Sequence, residues 1–162
     1  MSRIAARALI LHENKLLLVN AWRNDVSLWC LPGGGVENQC SLPDTLRREV
    51  FEETGLEISV GAPALVNEFF DPRSEFHQIE VFFRCTLLSG DPFGTWADTE
   101  GIVSERLWAA REDLADLPHK PDSLAEAAWG SNSAIYDPLE PIKLGETGRA
   151  KEQSRPTPKH RT

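Results

Sequence analysis

The chain has 162 residues and a formal net charge of −8, with 41% apolar and 26% charged residues. This length predicts one domain with a single sizeable core, and the composition is that of a globular protein. The acidic balance argues against nucleic acid or an anionic membrane as a partner, and without a transmembrane-length apolar run or a signal peptide we expect a cytoplasmic protein.

The N-terminal region predicts a β-hairpin that leads into a glycine run. Residues 5–11 and 15–19 are short apolar runs separated by three turn-like residues. Residues 29–31 then carry the chain into Gly33, Gly34 and Gly35. Glycines let a chain bend sharply and approach a ligand closely, so this run is either an ordinary turn or a loop that contacts a metal or a phosphate.

A helix is predicted over residues 42–54. Ser41 fits the N-cap position, Asp44 follows three residues later as in a weak capping box, and Pro43 is tolerated in the first turn. Gly55 fits the left-handed position that often ends a helix. The segment therefore carries start and stop signals at both ends.

Three glutamates share one face of this predicted helix. Glu49, Glu52 and Glu53 stand at i, i+3 and i+4, so their carboxylates converge. An apolar stripe that would pack on a sheet lies beside them: Leu42, Leu46 and Val50. Converging carboxylates repel one another, and Mg²⁺ or Mn²⁺ relieves that repulsion through oxygen ligands. A merely solvated acidic face is the simpler alternative, and the flanking signals at fixed offsets argue against it.

The middle of the chain predicts further strands. Residues 56–60 alternate as a strand does, and residues 64–70 and 78–88 read as two more strands around the turn-rich loop 71–77. Residues 106–108 predict a final strand, and residues 109–117 predict a helix that Pro118 ends. A second helical run is predicted over residues 121–129, with Asp122 or Ser123 as its N-cap, and these two helices would cover the open face of the sheet.

The end of the chain and the cysteines are less informative. We expect residues 1–135 to form the domain and residues 136–162 to be a largely disordered extension, rich in charge and proline. Cys30, Cys40 and Cys85 form no CxxC pair, and their odd number argues against a disulfide framework or a zinc site.

The segment from Gly34 to Leu56 resembles the Nudix box. That pattern is Gly, five residues, Glu, seven residues, Arg-Glu, an aliphatic, any residue, Glu-Glu, any residue, Gly, an aliphatic. Every fixed position from Arg48 to Leu56 fits, as does Gly34, and Cys40 stands where the first Glu belongs. The resemblance implies an α/β fold, an α/β/α sandwich with a mixed central sheet on which the box helix packs.

The resemblance also implies an activity and a set of residues. Nudix enzymes hydrolyse a nucleoside diphosphate linked to another group, with Mg²⁺ or Mn²⁺ as cofactor. By position, Glu49, Glu52, Glu53 and the backbone carbonyl of Gly33 would bind the metal, and Arg48 would orient the carboxylates. Glu52, Glu53 and Arg48 would thus be catalytic, and Gly34 and Gly35 would lie against the substrate. The expected partner is a small nucleotide derivative, and a homodimer is possible because dimers are common in the family.

Residues outside the box complete the expected site. The family places its general base either on the box helix or on a later loop, and Glu100 and Glu105 are the candidates on such a loop here, against the plain alternative of solvated acids. Trp22 and Trp96, in predicted loops, and His77 are candidates for substrate binding.

Cys40 leaves a second function open. Cysteine is a poor ligand for Mg²⁺, and its presence removes a supporting carboxylate, which Glu37 three residues upstream would partly replace. A non-catalytic Nudix module that binds or senses a metabolite is therefore the alternative to a hydrolase.

Overall fold

A computed structural model of the chain describes residues 2–130 and 133–142. In this part of the chain, eight strands, two α-helices and one 3-10 helix follow one another. In chain order they are β1 (Arg3–His12), β2 (Lys15–Trp22), β3 (Asp25–Cys30), β4 (Gly33–Gly35), α1 (Leu42–Thr54), β5 (Glu57–Phe70), β6 (His77–Ser89), β7 (Arg106–Ala109), the 3-10 helix (Arg111–Asp116), α2 (Leu124–Trp129) and β8 (Ile135–Pro141).

The strands form one mixed sheet in the order β3-β2-β1-β6-β5-β8. Strand β1 pairs in parallel with β6 along one edge, and along the other edge it pairs antiparallel with β4 at its start and with β2 at its end. Strand β7 pairs with β2, and β8 pairs in parallel with β5. The glycine strand β4 is therefore held directly against β1.

Two hydrophobic clusters fill the two faces of the sheet. On one face, α1 packs through Leu46 and Val50 against alternate residues of β1, among them Ala6, Ala8 and Ile10. On the other face, the 3-10 helix and α2 pack against Leu9, Leu65 and Phe82, through Leu114, Leu124 and Ala127. The sheet thus lies between helical layers, and the predicted α/β/α sandwich is confirmed.

Helix α1 begins and ends where its sequence signals predict. The Ser41 side chain accepts a hydrogen bond from the Asp44 backbone N–H at 3.1 Å, and Pro43 occupies the first turn. Gly55 adopts a left-handed conformation with φ of 72°, and its N–H donates to the Phe51 carbonyl at 2.8 Å. These caps fix the helix and so the positions of its glutamates.

Three local predictions need correction. The helix predicted over residues 109–117 is a 3-10 helix, Arg111–Asp116. The two strands predicted over 56–60 and 64–70 are one strand, because irregular pairing between Val60 and Leu65 absorbs the interruption at Gly61 and Pro63. Trp22 lies at the end of β2, not in a loop.

The second predicted helix is shorter than expected, Leu124–Trp129, and Ser123, one of its two predicted N-cap residues, occupies the N-cap position without a side-chain hydrogen bond.

The sequence also predicted no element after α2, yet β8 (Ile135–Pro141) adds a strand that crosses the proposed domain boundary at residue 135. Residues 143–162 of the extension that was predicted to be largely disordered lie outside the described residues. Within residues 2–130 and 133–142, no helix has the length and apolar character needed to span a membrane.

Candidate active site

The site begins where the glycine strand touches α1. The Gly33 backbone N–H donates a hydrogen bond to Glu53 Oε2 at 3.1 Å. Gly33 has φ of 151°, and a Cβ atom at this position would lie 2.0 Å from the Ala6 carbonyl oxygen, so no other residue fits. The glycine run and the box helix are therefore joined by a direct contact, which brings the backbone next to the carboxylates.

The three box glutamates differ in their exposure. Glu49 and Glu53 are buried, with 6% and 3% of their surface exposed. The Glu52 side chain is 31% exposed and lies nearest to the solvent. The helix therefore presents two desolvated carboxylates and one that reaches water, and a burial of this kind is costly unless counter-charges or polar partners compensate for it.

Arg48 is the cation of this cluster. Its Nη2 atom lies 3.5 Å from Glu49 Oε1, and its Nε atom lies 3.9 Å from Glu52 Oε1. The same Nη2 atom lies 3.7 Å from Glu37 Oε1. Arg48 thus contacts two of the box carboxylates and a third acid from the preceding loop, which places Glu37 where the sequence analysis expected a replacement for the missing box Glu.

Cys40 itself is exposed. Cys85, by contrast, is buried in β6, and burial raises the pKa of its thiol to about 12. Among the described residues, no hydrogen bond joins the Cys40 or Cys85 thiol to a box glutamate.

Glu100 enters the site on the loop between β6 and β7, which Asp98 organises. The Asp98 carboxylate accepts hydrogen bonds from the backbone N–H groups of Glu100 at 3.0 Å, Ile102 at 3.1 Å and Val103 at 2.8 Å. The loop is therefore built around one acidic side chain and presents Glu100 in a defined place.

Asn20 of β2 holds the other end of this loop. It is 1% exposed, and its amide donates to the carbonyls of Trp22 and Ile102, both at 2.8 Å. Its side-chain oxygen accepts from the N–H groups of Ser104 at 3.0 Å and Glu105 at 3.1 Å. The sequence analysis missed Asn20, although a lone amide in an otherwise apolar strand signals a buried polar network.

The charge of Glu100 is coupled to the box. Burial raises the pKa of Glu100, and the negative charges of Glu49, Asp98 and Glu52 raise it further, while Arg48 opposes them. Carboxylates from the box helix and from the later loop therefore share one electrostatic environment. Glu105 differs, because it is exposed and its described hydrogen bonds are backbone bonds to Asn20.

The same loop closes over the C-terminal end of α1. Trp96 Nε1 donates to the Glu52 carbonyl at 2.9 Å, and its ring packs against Phe51 with centroids 5.4 Å apart. Arg106 donates to the Thr54 carbonyl at 2.9 Å and so places a cation at the negative end of the helix. Trp96 is thus engaged with the box helix, and the prediction that it stacks on a substrate stays a prediction.

The remaining predicted residues lie apart from this cluster. Trp22 is 8% exposed and belongs to the core. His77 hydrogen-bonds Glu68 at 3.1 Å, and Tyr136 donates to the same carboxylate at 2.7 Å, which lowers the pKa of Glu68. The described contacts of His77 are therefore those of a hairpin surface, and its predicted role in substrate binding remains untested.

Two arginines that the sequence analysis did not single out line the start of β1. Arg7 forms a buried ion pair with Glu80. Burial lowers the pKa of Arg7, but the charge of Glu80, its hydrogen bond and contributions from Cys30 and Glu49 together outweigh burial, and the net direction is upward. For Arg3, burial and the charge of Arg7 lower the pKa, against the attraction of Glu80, Glu49 and Glu100. Arg3 and Arg7 stand at i and i+4 of one strand, so they lie on the same face of the sheet, and this spacing could be recognised in the sequence.

The residues fit a hard divalent cation. Among the described residues, no three His, Cys, Asp or Glu side chains converge closely enough to hold an ion unaided. Mg²⁺ does not require such a cage, because it keeps several waters and binds through one or two carboxylates and substrate phosphates. All the donors gathered here are oxygens, from Glu49, Glu52, Glu53 and Glu100, and the softer Cys40 is exposed.

Comparison with known proteins settles the family. A family model described as NUDIX domain matches residues 1–129. The chain belongs to the Nudix family. The resemblance read from the box is therefore confirmed over most of the chain, and the substituted position at Cys40 lies within a genuine Nudix domain.

One relative is similar to this chain over 67% of the chain's length. The chain is 31% identical over 111 residues to diphosphoinositol polyphosphate phosphohydrolase 3-beta of Bos taurus. This match covers 67% of the chain and 64% of the bovine protein, so it spans less than two thirds of that relative's length.

Solved structures share the fold. A crystal structure described as an ADP-ribose pyrophosphatase from Streptococcus suis is 26% identical with a TM-score of 0.59, over 85% of this chain and 98% of that one. A NUDIX hydrolase from Nitrosomonas europaea has a TM-score of 0.64 at 20% identity, over 86% of this chain and 79% of that one. The second likeness concerns the fold alone.

Proposed function

We propose that this Nudix-family chain is a hydrolase that cleaves the pyrophosphate bond of a nucleoside diphosphate linked to another group, with Mg²⁺ or Mn²⁺ as cofactor. The observation that carries the proposal is the cluster at the box helix. Buried Glu49 and Glu53 and the partly exposed Glu52 stand beside the Gly33 backbone, with Arg48 between two of them.

Each residue of the cluster has a distinct task in this proposal. Glu49, Glu52, Glu53 and the Gly33 carbonyl would hold the cation. When bound, the cation neutralises charge on the leaving phosphate and lowers the pKa of a water molecule. Arg48 orients Glu49 and Glu52 by the contacts described above, and the Gly33 N–H orients Glu53. Gly34 and Gly35 bring backbone without side chains next to the pyrophosphate.

Glu100 is the proposed general base. Its carboxylate would accept the proton of the attacking water, and a carboxylate whose pKa is raised is a better proton acceptor than an ordinary one. Asp98 and Asn20 keep the loop that carries Glu100 in place. Glu105 is less suitable, since it is exposed and no described contact brings its carboxylate to the box.

The choice of substrate rests on the likeness to solved relatives. The Streptococcus suis structure that is described as an ADP-ribose pyrophosphatase matches over 98% of its own length with a TM-score of 0.59, and this likeness supports the choice. A small nucleotide derivative such as ADP-ribose is therefore the first compound to test. A homodimer and a cytoplasmic location remain predictions from the sequence.

The test is hydrolysis by the purified protein over a panel of compounds. ADP-ribose, a sugar nucleotide, a dinucleoside polyphosphate and a nucleoside triphosphate are each incubated with Mg²⁺, with Mn²⁺ and with EDTA. We expect turnover of at least one compound, with cleavage of its phosphoanhydride bond into two phosphate-bearing products such as a nucleoside monophosphate. We also expect EDTA to abolish this turnover.

The panel also decides the alternative of a binding module. A protein that is inert on every compound, while its Cys40→Glu variant gains activity, would show that the missing box carboxylate has abolished catalysis. Turnover by the unmodified chain would exclude the binding module as its sole function.

A further inference from the structure

A row of paired residues crosses the sheet beside the box site. Ala5 of β1 stands opposite Glu80 of β6, Glu80 stands opposite Asn67 of β5, and Asn67 stands opposite Asp137 of β8. On its other side, Ala5 stands opposite Gly35 of the glycine strand. The row therefore runs from the glycine strand of the box site across four strands of the sheet.

The row lies on the face away from α1. Side chains alternate along a strand, so Asn67 and Glu80 project on the same side as Leu65 and Phe82, which belong to the cluster with α2. The box helix packs on the opposite face. The row and the box carboxylates thus meet only at the glycine strand, where the chain lacks side chains.

Asn67 is the unusual member of the row. It is 3% exposed, yet its side-chain oxygen accepts no hydrogen bond from any residue that the structure describes. A buried polar group without a partner is destabilising, and native proteins retain such groups mainly where a ligand or another function requires them. The Asn67 amide oxygen therefore has the capacity to accept a hydrogen bond from a bound ligand.

The two acids that flank Asn67 already have partners. Glu80 forms the buried ion pair with Arg7, and Asp137 accepts a hydrogen bond from the Ser123 N–H at 3.1 Å. An ionised carboxylate only accepts hydrogen bonds, so neither acid can donate one to the Asn67 amide oxygen. Glu80 and Asp137 are thus held in place by their own partners, on either side of an amide oxygen that has none among the described residues.

Arg3 connects the row to the box site. A Cβ atom built on Gly35 would lie 2.6 Å from Arg3 Nη2, so the guanidinium lies over the glycine strand. The carboxylates of Glu49 and Glu100 and that of Glu80 all attract Arg3. Among the described residues Arg3 has no carboxylate within salt-bridge distance, so its charge remains available to a phosphate between the box and the row.

From this arrangement we propose that Asn67 is a specificity-determining residue that hydrogen-bonds an uncharged nucleoside, the organic part of the substrate, along this row. The inference rests on the proposed function, which places the pyrophosphate at the box and beside Arg3. The group attached to it then extends over Gly35 and Ala5 toward Asn67. An asparagine amide offers one donor end and one acceptor end, which match the adjacent donor and acceptor groups of a nucleobase edge or a ribose.

The charges of the row disfavour a highly phosphorylated ring. The row contains the carboxylates of Glu80 and Asp137, and the charge of Arg7 is already paired with Glu80. Since Arg7 neutralises Glu80, a ring that carries many phosphates would meet the Asp137 carboxylate with only Arg3 to compensate, and like charges brought together at a binding site act as a barrier to the wrong partner. The row therefore selects nucleoside compounds over diphosphoinositol polyphosphates.

The experiment measures binding apart from turnover. The non-hydrolysable probe α,β-methylene-ADP is titrated by calorimetry into the full chain, into Asn67→Ala and into Tyr136→Phe, with Mg²⁺ present. Loss of one hydrogen bond to a neutral group is expected to weaken binding in Asn67→Ala about three- to tenfold. Tyr136→Phe is the control, because Tyr136 is an exposed neighbour of Asp137 whose hydroxyl bonds Glu68.

A second variant and a second substrate complete the test. Asn67→Ser puts a shorter hydroxyl side chain in place of the amide and replaces Asn67→Ala if that variant does not fold. A cooperative urea-unfolding transition shows that each variant is folded. The ratio of kcat/KM for ADP-ribose to that for a diphosphoinositol pentakisphosphate is expected to exceed one and to fall in the Asn67 variant.

The outcomes separate this inference from the proposed function. Equal probe affinity in the full chain and the folded Asn67 variants, or faster hydrolysis of the diphosphoinositol compound, would overturn the role of Asn67 while leaving a hydrolase. Binding of α,β-methylene-ADP that depends on Asn67, in a chain that hydrolyses nothing, would support the nucleoside site and reject the proposed reaction.

Discussion

At the scale of single residues, Arg48 shows how the box can tolerate a cysteine at its first acidic position. Its guanidinium lies within 4 Å of carboxylates from Glu37, Glu49 and Glu52. Cys40 is exposed, and its side chain lacks the carboxylate that the box pattern places at this position. The acidic partner that the sequence pattern places at residue 40 is therefore supplied from residue 37, three positions earlier in the same loop.

We predict that Glu37→Gln lowers kcat/KM and that Cys40→Ser does not. The Arg48 and Glu37 side chains are 40% and 42% exposed, so their pairing contributes at most about 1 kcal/mol and the loss should be no more than about fivefold. Steady-state kinetics of the two variants beside the unmodified chain measure this. A larger loss in Cys40→Ser than in Glu37→Gln would mean that residue 40 itself acts in the site.

Glu100 predicts a dependence of stability on pH. Because the folded chain raises the pKa of Glu100, the folded state binds this proton more tightly than the unfolded state. The protonated Glu100 side chain therefore contributes to the free energy of unfolding below the ordinary glutamate pKa, at about pH 4. That contribution is lost as the pH rises through the raised pKa of the folded state. The ionised carboxylate is therefore a source of instability at neutral pH.

We accordingly predict that Glu100→Gln raises the free energy of unfolding at pH 7 and has little effect at pH 4, while kcat falls by about 10²-fold or more if Glu100 is the general base. Urea unfolding at both pH values, in EDTA so that no cation offsets the repulsion, measures the stability. A difference of the same size at both pH values would contradict the coupling between Glu100 and the box carboxylates.

At the scale of elements, the C-terminal end of α1 carries more contacts than its sequence signal indicates. Gly55 adopts the left-handed conformation, and a Cβ atom there would lie 2.5 Å from the Trp96 ring. Trp96 and Arg106 donate to the last carbonyls of the helix. One glycine thus joins the box helix to the loop that presents Glu100.

We predict that Gly55→Ala lowers the free energy of unfolding by more than Gly101→Ala. Gly101 has a similar φ of 69° but faces open space, so its substitution incurs only the conformational cost of about 1–2 kcal/mol. Gly55→Ala adds the displacement of Trp96, an overpacking cost of about 1–3 kcal/mol. Chemical denaturation compares the two variants, and equal losses would show that Trp96 moves aside without cost.

The elements also show what the sequence could and could not foretell. Helix α1 was predictable to the residue, because Ser41, Pro43 and Gly55 are local signals. The segment 109–117 was not, because an apolar periodicity fits a short 3-10 helix as well as an α-helix. Strand β8 escaped notice because its sequence alternates weakly and its parallel partner, β5, lies 70 residues earlier for Leu65 and Ile135.

The site divides in the same way. The box carboxylates and Arg48 could be predicted because they are regularly spaced on one helix. The hydrogen bond from Asn20 to Ile102 could not, because the two residues are 82 positions apart, and neither could the loop bond between Asp98 and Val103. Glu100 was named as one of two loop acids, and the structure separates it from Glu105 by burial and by the charges around it.

At the scale of the whole molecule, the sheet separates two cores with different relations to the site. Leu46 and Val50 fix α1 against one face, while Leu114 fixes the 3-10 helix against the other. Only the first core supports the helix that carries the glutamates. Stability and activity should therefore respond differently to mutations on the two faces.

We predict that Leu46→Ala and Leu114→Ala each lower the free energy of unfolding by about 2–5 kcal/mol, but that only Leu46→Ala lowers kcat/KM. Leu46 and Leu114 are almost fully buried, with 0% and 3% exposure, so both substitutions remove a similar amount of buried apolar surface. Kinetics at a temperature where both variants remain folded measure the difference. Equal losses of kcat/KM would show that the faces are coupled through the sheet.

If the box helix performs metal-dependent hydrolysis, removal of one carboxylate from its cluster must abolish most of the activity. The kcat/KM with Mg²⁺ is measured for the unmodified chain, for Glu52→Gln and for Glu75→Gln, a loop acid that is exposed and distant in sequence from the box. Glu52→Gln keeps the side-chain shape and removes one charge from the cluster.

We predict that Glu52→Gln lowers kcat/KM by roughly 10²-fold or more, as removal of an essential charged catalytic group does, and that Glu75→Gln stays within about twofold of the unmodified chain. Activity that persists in Glu52→Gln, or that does not require the metal ion, would contradict the assignment of the reaction to the box helix.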